Sequence, residues 1–121
     1  MFDHIGVKVR DLQASAAFYS AVLAPLGHVQ GYADESCVGF GPAAAPSLWL
    51  YACDTPVGPG SHIAFRASEP SAVDRFHRAA LQAGGRDNGA PGPRPHYSAT
   101  YYAAFVIDPD GNRIEAVTFP Q

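Results

Sequence analysis

Three residues carry most of the chemistry this sequence offers: His4, His62 and Glu115. Two imidazoles and a carboxylate make a ligand set for a divalent ion such as Fe, Mn, Ni, Co or Zn. Such a set leaves coordination positions open for substrate or water. Side chains alternate faces along a strand, and that rule brings the three together. In residues 2–9, Ile5, Val7 and Val9 form an apolar set, which leaves His4, Gly6 and Lys8 on the opposite face. In residues 61–67, Ile63, Phe65 and Ala67 oppose His62, Ala64 and Arg66. Near the end, Ile114 and Ala116 oppose Arg113, Glu115 and Val117. The two His and the Glu are therefore expected on the polar, open face of their strands.

An internal repeat supplies the scaffold. When His4 is laid on His62, Ile5 falls on Ile63, Phe18 on Phe76, Ala21 on Ala79, Leu23 on Leu81 and Gly27 on Gly85, without a gap. Each copy reads as a strand, a helix and three further strands. The first helix follows Asp11 as N-cap, with Leu12, Phe18, Val22 and Leu23 on its apolar face. The second starts at Glu69-Pro70-Ser71 and presents Val73, Phe76, Ala80 and Leu81. Gly27 and Gly84-Gly85 are suitable helix stops. Later strands are expected at 28–32, 37–40 and 47–52, then near Arg86, at 100–107 and at 112–119. Asp108-Pro109-Asp110-Gly111-Asn112 reads as a structural hairpin turn. Residues 55–60 form a Pro/Gly-rich linker, and residues 88–95 a Pro/Gly-rich loop peculiar to the second copy. The expected fold is α+β: two βαβββ modules, about 1–54 and 60–121, in a single domain 1–121. Their sheets would pair into a curved mixed sheet with a concave cleft.

Bulk properties narrow the function. The chain has 121 residues, is 47% hydrophobic and carries a formal charge of −3. Its 8 Lys and Arg are scattered, which argues against a nucleic-acid groove or an anionic membrane surface. No apolar run is long enough to span a bilayer and no secretory signal is visible. Cys37 and Cys53 form no CxxC pair and read as ordinary thiols in a reducing, cytoplasmic setting. His28 and His77 read as surface residues.

Three segments together resemble the vicinal-oxygen-chelate superfamily, which includes glyoxalases, bleomycin-resistance proteins and extradiol dioxygenases. They are His4-Ile5-Gly6-Val7, Ser61-His62-Ile63-Ala64-Phe65, and the run from Asp108 to Glu115. The resemblance covers nearly the whole chain and implies a glyoxalase-like fold, a divalent metal on His4, His62 and Glu115, and a homodimer. Glyoxalase I and methylmalonyl-CoA epimerase resemblances imply a fourth ligand from the first module, at the position of Trp49. The fosfomycin-resistance branch has a similar Ser47-Leu48-Trp49-Leu50 segment, but a Thr where this chain has Gly6. Extradiol dioxygenases use the same two-His, one-Glu set; the His they carry nineteen residues before the last ligand is matched by His96, and the Tyr ten before it is replaced by Phe105.

The second-half loop adds candidates for substrate contact. His96 is a candidate acid or base, the role to which an imidazole is suited. Arg94 suits a carboxylate. Tyr101, Trp49 and Phe105 would give the cleft aromatic walls. The expectation is a metal-dependent enzyme of lyase, isomerase or dioxygenase type acting on a small oxygen-chelating substrate. The alternative is a non-catalytic module that sequesters a small aromatic ligand, as bleomycin-resistance proteins do.

Overall fold

The first helix is set by its ends. Asp11 caps it, its carboxylate accepting from the Ala14 amide at 3.0 Å. The helix, α1, runs Leu12–Leu23 and buries Ser15, Phe18, Tyr19, Val22 and Leu23. A 3-10 turn at Ala24–Leu26 follows, closed by Gly27 at φ 87°, where only glycine sits without strain. The second helix, α2, runs Pro70–Gln82 with Pro70 in its first turn, where a missing amide proton costs nothing. It buries Ala72, Val73, Phe76 and Ala80.

The computed structural model describes residues 1–55 and 60–121 of the chain. The core of the expected linker, residues 56–59, lies outside them. The first module consists of β1 (Ile5–Val9), α1, β2 (Val29–Ala33), β3 (Cys37–Gly41) and β4 (Leu48–Ala52). The second consists of β5 (His62–Arg66), α2, β6 (Arg86–Pro93), β7 (Tyr102–Ile107) and β8 (Arg113–Thr118). Two four-stranded mixed sheets result, ordered β1-β4-β3-β2 and β5-β8-β7-β6. In each, the first strand of the module runs parallel to the last, and the other pairs are antiparallel. The α+β class and both βαβββ modules are as the repeat implies. The free edges β1 and β5 flank one groove, lined by Ile5, Gly6 and Val7 on one side and His62, Ile63 and Ala64 on the other.

Side-chain alternation follows the expectation. Val7 and Val9 are buried while Gly6 and Lys8 are exposed, and Ala67 is buried while His62, Ala64 and Arg66 are exposed. Buried residues of both modules form one apolar cluster, with Phe18, Leu23 and Leu50 from the first and Phe76, Val106 and Ile114 from the second.

The turn between β7 and β8 locks the modules together. Asp108 and Asp110 are only 4% and 7% exposed. The Tyr19 hydroxyl on α1 donates to Asp108, whose carboxylate also accepts from the backbone amides of Asp110 and Asn112 and from the Asn112 side chain. Asp110 accepts from the Arg10 backbone and guanidinium and from the Ser15 hydroxyl. Asn112 in turn accepts from the Ser61 amide at 2.9 Å, ahead of β5. Close packing supports the polar lock: a methyl group on Gly85 would lie 2.6 Å from the Phe18 ring.

Four local expectations need correction. Much of the segment read as a Pro/Gly loop, 88–95, is strand up to Pro93. Proline is tolerated because β6 is an edge strand, and register shifts at Asp87/Gly89 and Gly89/Gly92 absorb the irregularity. Leu81 is 42% exposed, so it lies off the buried face of α2 despite matching Leu23 in the repeat. His77 is half-buried and pairs with Asp87 at 2.9 Å, on an edge strand that the sequence left short. His28 is also half-buried, with a buried Nδ1 that has no partner among the described residues.

Burial and the neighbouring Asp108 raise the Tyr19 phenol well above its ordinary value of 10.0. The protonated phenol is the form the folded state prefers. Its stabilising contribution is full below that ordinary value and is lost as pH rises toward the raised one. Tyr19→Phe is expected to destabilise the protein by about 1–3 kcal/mol at neutral pH. It should also flatten the decline in stability at alkaline pH, as read by urea unfolding across a pH series.

Candidate metal centre

Glu115 is the unusual residue of this fold. It sits in β8 on the face away from the helices, yet it is only 1% exposed. A carboxylate removed from water at this depth needs a partner for each oxygen. One oxygen, Oε1, meets His62 Nε2 at 2.9 Å. The other, Oε2, accepts from the Tyr101 hydroxyl in a short hydrogen bond. Strand pairing places His62 beside it: β5 runs parallel to β8, with Ala64 opposite Glu115 and His62 opposite Arg113. The His62 ring remains half open to solvent, with 53% of its side chain exposed.

Tyr101 belongs to an aromatic row. Its ring meets Tyr97 at 5.0 Å and Phe119 at 5.3 Å, both edge-on. Tyr97 in turn meets His96 at 4.3 Å, and the Arg66 guanidinium lies over Phe119. Burial, followed by the bond to Glu115, pushes the Tyr101 phenol up to about 12. It is therefore a neutral donor at physiological pH.

The other predicted residues fall into place differently. His4 is exposed and bonds the adjacent Asp3 at 2.6 Å, apart from the His62–Glu115 pair. Among the described residues no three His, Cys, Asp or Glu side chains gather as a ready metal cluster. His96 is exposed and reaches Glu115 only through Tyr97 and Tyr101. Arg94 folds back on its own strand, donating to the carbonyls of Ala90, Gly92 and Pro93. Its guanidinium also covers Phe105, 5.3 Å from the ring centre. Phe105 pairs with Glu115 across β7 and β8.

Trp49 occupies the position in the first module that Glu115 occupies in the second. Trp49 pairs with Gly6 on β1 as Glu115 pairs with Ala64 on β5. Its ring lies against Gly39, where a methyl group would come within 2.8 Å of it, and meets Tyr32 at 5.6 Å. The first-module face is thus aromatic where the second holds a carboxylate. Sequence reasoning anticipated that substitution. It missed the bond between Tyr101 and Glu115, because Tyr101 lies just ahead of β7 and Glu115 within β8, and no spacing rule links them.

A nitrogen and an oxygen bound to one octahedral ion at about 2.1 Å each and at right angles lie about 3.0 Å apart. The separation of His62 Nε2 from Glu115 Oε1 fits that edge. The residues therefore suit one side of a divalent-metal site, with further positions to be filled from elsewhere.

The fold defines a class. The profile of the Glyoxalase/Bleomycin resistance protein/Dioxygenase superfamily matches residues 1–116, and the chain belongs to that superfamily. It is similar to a glyoxalase/bleomycin resistance protein from Albidiferax ferrireducens T118, with 34% identity, a TM-score of 0.86 and 99% of each chain covered. It also shares the fold of a glyoxalase/bleomycin resistance protein/dioxygenase family enzyme from Burkholderia phytofirmans PsJN, at 20% identity and a TM-score of 0.76, over 98% of each chain. A glyoxalase I mutant from Zea mays shares it too, at 21% identity and a TM-score of 0.72, over 94% of this chain and 45% of that one. No curated protein sequence matches this chain.

Because the chain has one Trp, the first-module face can be followed by fluorescence. Gly39→Ala is expected to push the Trp49 ring off the sheet, shift its emission to longer wavelength and lower stability by about 1–3 kcal/mol. An unchanged spectrum would show that the ring does not rest on Gly39.

Proposed function

We propose that this protein is a metal-dependent enzyme of its superfamily, acting on a small substrate with adjacent oxygen atoms. The observation that carries this reading is the buried Glu115 carboxylate held 2.9 Å from the half-open His62 imidazole. His62 and Glu115 would hold one divalent ion, with His4 as third ligand. The ion would supply Lewis-acid stabilisation to a developing enolate or oxyanion.

His4 stands apart from the pair within one chain, which favours completion by His4 of the partner subunit in a homodimer. The free edges β1 and β5 and the 78% exposed Phe2 suit such an interface. The aromatic surfaces of Trp49, Phe105 and Tyr101 would border the substrate. Arg94 would shape the β6 end of the site, since its terminal nitrogens are committed to backbone carbonyls. His96 would serve proton transfer only if its loop moves inward. Both cysteines are free thiols, which suits a reducing, cytoplasmic setting. Among the described residues no helix is long and apolar enough to cross a membrane.

A second reading has its own support. Trp49 at the position equivalent to Glu115, with Tyr32 beside it, suits stacking of a flat ligand in a bleomycin-resistance-type binding protein. Metal titration by calorimetry separates the two. Saturable binding of Mn, Fe, Co, Ni or Zn by the wild type, lost in His62→Ala and in Glu115→Gln, is the expected result. Absence of binding for every ion would overturn the enzyme reading and leave ligand sequestration.

A further inference from the structure

Glu115 has two carboxylate oxygens, and the structure gives them unequal roles. Oε1 faces His62, whose ring is half open, whereas Oε2 is closed off by the Tyr101 hydroxyl. The Tyr101 ring lies edge-on to Tyr97 on one side and to Phe119 on the other. Its backbone is held: the Arg94 amide donates to its carbonyl at 2.7 Å. The phenol is therefore a donor aimed at one oxygen of a carboxylate that is almost wholly buried.

We propose that Tyr101 is a positioning residue for the metal site, holding Glu115 so that it binds an ion through Oε1 alone. This rests on the metal-centre reading given above. His62 Nε2 and Glu115 Oε1 would hold a divalent ion in place of the hydrogen bond they now share, and the proton of that bond would pass to solvent. The Tyr101–Oε2 bond is untouched by that exchange and keeps the carboxylate plane fixed. Without the phenol, Oε2 would be a buried acceptor lacking a partner, and the carboxylate would be free to rotate. Partners of this kind, standing behind a metal-bound group, typically contribute about 10- to 100-fold in metal affinity.

The test uses the full-length protein and Co(II), with calorimetry for affinity, visible absorption for ligand geometry and thermal unfolding as a check on folding. Tyr101→Phe keeps the ring in its stack and removes only the hydroxyl. It is expected to bind Co(II) about 10- to 100-fold more weakly than the wild type and to shift the absorption bands. Tyr97→Phe leaves the Glu115 bond intact and is expected to match the wild type in both readouts. Equal affinity and an identical spectrum in Tyr101→Phe would overturn the role of Tyr101 while leaving the metal site standing. An equal loss in Tyr97→Phe would also overturn it, by assigning the effect to the aromatic row. No Co(II) binding by the wild type would overturn both this proposal and the metal reading beneath it.

Discussion

Two buried aspartates fix how the halves of this molecule meet. Asp108 and Asp110 lie in one turn of the second module, yet their partners include Tyr19, Ser15 and Arg10 of the first. Taking a carboxylate out of water costs several kcal/mol, and such a group is tolerated only when its hydrogen bonds are met. Misplacing either module would leave Asp110 without the Arg10 and Ser15 donors and would take the Tyr19 hydroxyl from Asp108, which keeps only the donors of its own turn. The lock therefore favours one docking geometry over others that apolar packing alone would accept. It also ties the start of β8 to the start of β5 through the contact of Asn112 with Ser61. That contact lies just ahead of His62 and brings it to Glu115.

The site follows from the same economy of buried polar groups. Glu115 is a third carboxylate out of water, but its partners differ from those of the turn. The aspartates are met chiefly by backbone amides and by side chains from the first module. Glu115 is met by one titratable imidazole and one phenol. A buried carboxylate that serves structure alone is well satisfied by fixed amides. One paired with an imidazole still half open to solvent can exchange that partner for a cation. This difference sets Glu115, the proposed metal ligand, apart from the two aspartates within a few residues of chain.

Much of this was legible in the sequence because it rests on local or periodic rules. The repeat gave both modules, alternation gave the exposed faces of β1 and β5, and Asp11 and Gly27 marked the ends of the first helical segment. The equivalence of Trp49 and Glu115 was readable from the family resemblance, and the strand register bears it out. What escaped depends on contacts between distant segments. Tyr101, just ahead of β7, meets Glu115 of β8, and Asp108 finds Tyr19 only once the helices have docked. The length of β6 escaped because proline and glycine usually end strands, and only an edge position excuses them. His4 illustrates the limit of the repeat. The strand pattern placed it on the same kind of face as His62, but its partner within the chain is Asp3 rather than the Glu115 pair.

The central claim is that His62 and Glu115 form one side of a metal site. A crystal structure of the Co(II)-loaded protein, with anomalous difference density at the cobalt edge, tests it most directly. The account predicts one strong peak about 2.0–2.2 Å from both His62 Nε2 and Glu115 Oε1. Density elsewhere, with the 2.9 Å contact between His62 and Glu115 intact, would contradict it.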